Sequence, residues 1–422
     1  MSWKNNSKFL FNQRAFKRNL LEKNLTSFQE IQLIAFLTIL STMATFAADV
    51  YFPSLPAIKN DFNATNYETQ LTLSVFLLGL GLTQIPFGIL SDYIGRRKLL
   101  LINLIIFLSA SLGCIFSESI YSFILFRFLQ GVGSSAALVV GRSLYLDILP
   151  EEKAKRAITL SIPFVCISPG VAPILGGVID YHLGWQYSFI FISLIVLCLL
   201  VGYYILFPET KDFSKNSGLG FKGFFKLSYR VLFIPGFLPV MSVLLTTDSI
   251  WWSYLASAPQ ILKHYGYSSE TIGLCYVPAV LPYFIVSMLA PKMFRGFKTQ
   301  HFIYLGLSLI FLAMIYINVM DFLNLFSPFV LLSGIVVMSI GDGFSFPAAM
   351  SYALSCSPKM PAVASGIVGT VQIFAGILAS VLAGFCHNCV VTTSYVHRSL
   401  ILFFIGLSLY LIFNRILPIK KA

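Results

Sequence analysis

The chain has 422 residues, 57% of them hydrophobic and 11% charged, with a formal net charge of +12. Soluble domains carry about 45–50% apolar and about 25% charged residues, so the composition argues against a soluble enzyme, a nucleic-acid-binding protein and a disordered chain. Basic charge alone does not choose between DNA, lipid headgroups and membrane topology, so the positions of the 29 Lys and Arg residues decide what it means.

Residues 1–30 form a polar, basic tail without a cleavable signal pattern. The first apolar run is too long for a signal-peptide core and reads as a retained helix. The tail itself reads as a solvated anchor or as an amphipathic surface helix. A membrane-crossing helix needs about 20 mostly apolar residues. Such stretches occur at 31–52, 69–90, 99–117, 122–146, 157–179 and 187–207, and again at 233–257, 271–291, 302–320, 327–348, 362–385 and 399–417. Helices are expected because backbone exposed to lipid must satisfy its own hydrogen bonds. The alternating pattern of an outer-membrane barrel is absent. The expectation is an all-α polytopic membrane protein with twelve transmembrane helices. Residues 31–207 form one six-helix half and 233–417 the other. A polar loop, 208–232, joins them, and 418–422 are a short basic tail.

With the N-terminus inside, 24 of the 29 basic residues fall on the cytoplasmic side. Lys59, Lys263 and Arg398 remain outside, and Arg127 and Arg142 lie within spans. The positive-inside rule therefore sets both termini in the cytoplasm.

Two segments echo one another. Ser54-Leu-Pro56-Ala-Ile58 ends the first span and Ser257-Ala-Pro259-Gln-Ile261 ends the seventh. Corresponding positions in two halves suit a duplicated transporter. Most of the seven cysteines lie within spans and read as small apolar fillers. Cys386 and Cys389, with His387 between them, read as a disulfide or a weak metal site, or as neither.

The loop after the second span reads Gly88-Ile-Leu-Ser-Asp92-Tyr-Ile-Gly95-Arg96-Arg97-Lys98. It resembles the signature between helices two and three of the major facilitator superfamily. Arg127-Phe-Leu-Gln130-Gly131-Val-Gly133 resembles that superfamily's R-x-x-Q-G-x-G motif. Ser168-Pro-Gly-Val-Ala172-Pro173-Ile-Leu-Gly176-Gly177 resembles its antiporter motif, with Ala172 replacing a glycine. Asp49-Val-Tyr51-Phe-Pro53-Ser-Leu-Pro56 is similar to the signature of bicyclomycin-resistance-like drug:proton antiporters, and Gly184-Trp185 with Phe189 resembles the opening of helix six there. The resemblance implies two six-helix halves about a pseudo-two-fold axis. It also implies alternating access, and a fifth helix that restricts leak through Ala172, Pro173, Gly176 and Gly177. The corresponding second-half loop, Lys292–Lys298, lacks the acidic residue.

Gly88 removes a side chain where another helix can cross closely. A latch of Asp92, Arg96 and Arg142, with Gly88, Gly95 and Arg97 around it, would hold the cytoplasmic side closed. The alternative is that the basic run only fixes topology.

Ionisable residues at membrane depth are functional candidates by default. Asp49 lies roughly 27 Å along its helix. Arg127 lies near the outer start of its own. The superfamily fold sets helices one and four side by side, so Asp49 and Arg127 are expected to pair, and Asp49 is expected to carry a coupled proton. Its alternative is a structural cap near Pro53. Asp248 precedes Trp251, Trp252 and Tyr254, which suits a cationic or amphipathic substrate or, equally, an interfacial aromatic belt. Asp342, between Gly341 and Gly343, lines a cavity or satisfies loosened backbone. Tyr51, Gln130, Gln84 and Gln372 are further cavity candidates.

The leading expectation is a proton-coupled antiporter exporting small amphipathic compounds from a bacterial cytoplasm. It would be a monomer in the inner membrane, powered by the proton gradient without a cofactor or metal. Its partners would be a small-molecule substrate, protons and the lipid bilayer, with no nucleic acid. A carrier of a metabolite, amino acid or siderophore would share the motifs. A membrane-embedded enzyme finds no metal motif or nucleophile elbow to support it.

Overall fold

The computed structural model describes residues 20, 26–210, 221–293, 298–356, 361–384 and 391–416. The described residues are helices and their connections. In chain order these are α1 (Ser27–Asp49), a single 3₁₀ turn (Phe52–Ser54), α2 (Leu55–Asp61), α3 (Asn66–Ile94), α4 (Arg96–Ile115), α5 (Ile120–Ile148), α6 (Glu151–His182), α7 (Gln186–Leu206) and α8 (Phe221–Leu232). Then follow α9 (Phe237–His264), α10 (Ser269–Leu274), α11 (Val277–Met293), α12 (Thr299–Phe322), α13 (Pro328–Cys356), α14 (Pro361–Gly384) and α15 (Val391–Ile416). Among the described residues nine helices are long and apolar enough to cross a membrane, or ten if the bent α8–α9 pair is one span.

Local signals start these helices. Ser119 and Ser122 form a reciprocal capping box at α5. Thr65 and Glu68 do the same at α3, where the Thr65 amide donates to Glu68 at 2.8 Å and the Glu68 amide to the Thr65 hydroxyl at 3.2 Å. Ser268 accepts from the Thr271 amide to cap α10. Gly95 takes φ 93° between α3 and α4, a turn closed to most side chains.

One difference from the expected organisation stands out: the stretch 208–232, expected as a loop, contains helix α8. The span expected at 271–291 corresponds to Ser269–Ala290, long and apolar enough to cross a membrane, with a turn at Cys275 and Tyr276 between α10 and α11. The tail before residue 20, Cys386, His387 and Cys389 lie outside the described residues.

The chain packs as two compact units. One comprises Met1–Ala48, Gly79–Ser168 and Gln186–Gly220; the other comprises Asp49–Leu78, Pro169–Trp185 and Phe221–Ala422. In the first, α4 packs on α5 and α7. Its core includes Leu33, Leu37, Leu104, Phe107, Phe123 and Phe189. In the second, α9 packs on α13, α14 and α15, and α12 on α13. One of its apolar clusters joins the start of α9 (Phe237, Val240) to the end of α13 (Ala353), the start of α14 (Ala364) and Tyr410 of α15. Alternating helix directions bring those termini to one end.

Candidate functional site

In the first unit, a buried polar chain crosses from α5 to α4 and α1. Arg127 is fully buried and donates to the Ala47 carbonyl at 3.2 Å and to Gln130. Gln130 passes the chain on, donating to Ser111 at 2.8 Å, and Ser111 donates to the Phe107 carbonyl at 2.8 Å. The guanidinium also stands 5.8 Å from the centre of the Phe189 ring. A buried charge is tolerated only with such compensation. Gln130 is therefore spent on holding Arg127. Ser111 was not legible in the sequence, because one serine in an apolar helix carries no pattern.

The basic loop is held more firmly than a topology signal requires. Arg96 pairs with Asp92 at 3.6 Å and with Asp147 at the end of α5. The Glu209 carboxylate accepts from the backbone amides of Arg96 (2.9 Å) and Arg97 (3.1 Å), capping the positive start of α4. Arg97 donates to the carbonyls of Phe207 (2.8 Å) and Tyr204 (2.9 Å). Gly88 faces Val139 of α5 at contact distance. Asp147 and Glu209 escaped the sequence reading because single acids at helix ends look like ordinary solvated residues. The Arg142 side chain lies outside the described ones.

In the second unit, one end is sealed by aromatic rings and polar contacts. Asp49 closes α1 and is 2% exposed. Tyr51 is buried, its hydroxyl 3.3 Å from that of Thr72. Phe52 stacks on Tyr276 at 6.2 Å and meets Trp252 edge-on at 6.4 Å. Asp49 lies in electrostatic range of Tyr276. Tyr254 donates to the Cys275 carbonyl and Tyr276 to the Leu255 carbonyl, each at 2.9 Å. The second bond has a sequence cause. In a helix the Leu255 carbonyl would accept from residue 259, but Pro259 has no N–H. The proline of the second Ser-x-Pro echo thus frees an acceptor that Tyr276 fills. At the neighbouring carbonyl, Ala256, Gln70 of α3 donates at 2.8 Å. Ser74 donates to Ser380 at 2.9 Å, and Ser380 to the Gln70 carbonyl at 2.9 Å. These bonds tie α3 to α9 and α14.

The antiporter-motif glycines belong to this seal. A Cβ on Gly176 would strike the Val50 carbonyl, and one on Gly177 the Ser269 carbonyl. Ala172 and Pro173 are buried on the same helix, and Gly273 of α10 meets the Pro173 carbonyl in turn. Just past the fifth expected span, Trp185 donates to Asp61 at 2.6 Å. Burial there raises the Asp180 carboxyl above the ordinary carboxylate range, against the pull of a Ser269 hydrogen bond and the Lys263 charge.

Asp248 and Asp342 come together in the same unit. Asp248 lies about 17 Å along α9 and Asp342 about 21 Å along α13, at about 1.5 Å per residue, both far from the helix ends. The two carboxyl groups lie within electrostatic range of one another, and Gln372 of α14 lies near Asp248. Asp248 Oδ2 and Asp342 Oδ1 are buried with no hydrogen-bond partner among the described residues. Helix α13 runs through Gly341–Gly343, but Pro347 has no N–H for the Gly343 carbonyl four residues earlier, so the backbone beside Asp342 lacks one helix bond. The flanking glycines also admit close crossings, Gly341 against Gly306 and Gly343 against Val286 and Tyr283. Trp251 and Trp252 are half-buried, and Tyr254 is fully buried.

Helices of membrane-crossing length around buried charge, with no strand among the described residues, define an all-α polytopic membrane protein. The model of the Major Facilitator Superfamily matches residues 34–380, and the chain belongs to that family. Multidrug resistance protein D of Escherichia coli (strain K12) is 25% identical over 367 residues, covering 84% of this chain and 89% of that protein. A chloramphenicol resistance protein of Pseudomonas aeruginosa is 28% identical over 270 residues, covering 64% of this chain and 55% of that protein. Among solved structures, a bacterial homologue of the human lysosomal transporter Spinster superposes with a TM-score of 0.72 at 15% identity, covering 93% of this chain and 99% of that one. A D-xylose-proton symporter superposes with a TM-score of 0.70 at 16% identity, covering 90% and 97%. These two likenesses concern the fold.

Proposed function

We propose that this chain is a proton-coupled antiporter that exports small amphipathic, drug-like compounds across a bacterial inner membrane. Twelve helices in two six-helix halves alternate access to a central cavity, with both termini cytoplasmic and the monomer as the working unit. The Arg96 loop and helix α8 lie on the cytoplasmic side. The names of the multidrug and chloramphenicol resistance relatives support the cargo class. The distribution of Lys and Arg supports the orientation.

The observation that carries the coupling is the Asp248–Asp342–Gln372 group. Two carboxyl groups within electrostatic range of each other at membrane depth cost far less with one negative charge between them than with two. Arrival of a cationic or polar substrate group changes which charge count is cheaper, and a proton leaves or enters in response. Asp49, buried beneath the aromatic seal, is the second proton site, with the Arg127–Gln130–Ser111 chain anchoring α1 at Ala47 just before it. Trp251 and Trp252 supply aromatic surface beside Asp248. Arg96 with Asp92 and Asp147 stabilises the inner loop in one of the alternating states.

The test is transport in proteoliposomes with an imposed pH gradient and a panel of amphipathic compounds. The wild type is expected to drive counter-transport of several panel members. Asp342→Asn and, separately, Asp49→Asn are each expected to abolish gradient-driven movement while exchange of substrate for substrate persists, and gradient-driven transport with wild-type pH dependence in Asp342→Asn refutes the Asp248–Asp342–Gln372 assignment. Gradient-driven transport with wild-type pH dependence in Asp49→Asn refutes the assignment of that residue. Uptake of a single metabolite with no response to the panel refutes the cargo class.

A further inference from the structure

Helix α8 was expected to be loop, and nothing in the transport cycle uses it. Its twelve residues include Lys222, Lys226 and Arg230 and no acid. It meets α9 across a break with an angle of 90°, turned at Gly236, whose φ is 84°. A helix perpendicular to a membrane-crossing one lies along the membrane plane. Its two sides differ. Val231 is buried in the apolar cluster at the start of α9, and Leu227, Leu232 and Ile234 pack against that cluster. The opposite side carries Lys226, Tyr229, Arg230 and Phe233, all exposed. Tyr229 and Phe233 are 65% and 53% exposed, with ring centres 4.8 Å apart.

We propose that this face of α8 is a docking surface for the headgroups of anionic phospholipids in the cytoplasmic leaflet. Three features select that occupant. The cations at i and i+4 sit on one stripe, where each anionic headgroup can meet one or both. The aromatic pair beside them is the combination that settles at headgroup depth, with an apolar body and a polar tip. The buried side already has its partner in the protein, so the cationic side is the one left to face the interface. A helix tied to the start of α9 in this way anchors that end of α9 at fixed depth while the rest of the helix moves. The proposal rests on the orientation given above, which puts α8 on the inner side.

Native mass spectrometry of the detergent-solubilised full chain, titrated with phosphatidylglycerol and with phosphatidylcholine, reads the preference for the anionic headgroup. The wild type is expected to retain phosphatidylglycerol selectively. Lys226→Gln with Arg230→Gln is expected to lower that preference about 30-fold, from about 1 kcal/mol per cation at an anionic surface. Lys226→Arg with Arg230→Lys is expected to keep it. Tyr229→Ala with Phe233→Ala is expected to weaken retention of both lipids. A double-glutamine variant with undiminished preference overturns the proposal. So does a concentration-dependent dimer that the same variant abolishes, since a second copy would then own the face. The lipid titration does not depend on orientation. Labelling of Tyr229→Cys by an impermeant maleimide in intact cells would reverse the orientation while leaving the lipid preference standing.

Discussion

Replacing Tyr276 by Phe removes one hydroxyl and leaves the Leu255 carbonyl without its donor. Both residues are fully buried, and Pro259 cannot supply the missing helix bond. A buried acceptor left unmade costs about 1–3 kcal/mol, more than the net worth of an ordinary hydrogen bond. The ring remains, so its stacking on Phe52 and the packing volume are kept, and the loss isolates the hydroxyl. Restoring the donor from inside the helix should cancel it. In a Pro259→Ala background residue 259 regains an N–H aimed at Leu255, and Tyr276→Phe should then cost only a few tenths of a kcal/mol. The expected coupling in this double-mutant cycle is about 1–2 kcal/mol, within the range for residues sharing one acceptor. The assay is denaturant unfolding of purified protein in detergent, comparing all four variants under one set of conditions. Equal destabilisation by Tyr276→Phe in both backgrounds would falsify the idea that the proline creates the vacancy that Tyr276 fills.

Three other expectations follow from the geometry. Gly176→Ala drives a methyl group into the Val50 carbonyl; the sealed end should then be held apart, raising labelling of nearby introduced cysteines by an impermeant thiol reagent and abolishing transport, and unchanged labelling contradicts this. Asp147→Asn removes one partner of the partly exposed Arg96, so stability should fall by no more than about 1 kcal/mol, while the transport rate falls further if the pair favours one state of the cycle. Asp180 has its carboxyl raised chiefly by burial, so its ionised form opposes the fold; the cost is full above the raised value and vanishes below the ordinary one. Acidification through that window should stabilise the sealed end, and Asp180→Asn should flatten the response, as read by thermal unfolding at a series of pH values with Asp61 and Lys263 left intact.

The nine or ten spans found among the described residues were legible because twenty apolar residues in a row have few other uses, and Gly88, Asp92, Gly95 and Arg96 stood out because their types and spacing are unusual together. Arg127 and Asp342 announced themselves as charges in apolar helices. What stayed hidden was partnership. Nothing near Arg96 in sequence points to Asp147 or Glu209, which reach it from the ends of other helices. Tyr276 looked like one of many aromatics, since its role depends on a proline seventeen positions earlier that reads only as a kink. Helix α8 was hidden by composition, because a polar average conceals an amphipathic period. The spacing of Lys222, Lys226 and Arg230, with Leu227 and Val231 at the same interval, was the signal available.

The Gln70–Ala256, Ser74–Ser380 and Ser380–Gln70 contacts close one end of the bundle with hydrogen bonds between amide, hydroxyl and carbonyl groups. A wall of leucines would close as well, but opening it to water would cost about 25 cal/mol for every Å² exposed. Polar groups lose little when water replaces their partners, since each such exchange is nearly balanced. In the proposed cycle these three bonds therefore add little to the cost of parting α3 from α9 and α14, and the buried rings around Phe52 and Tyr276 carry the larger share of it.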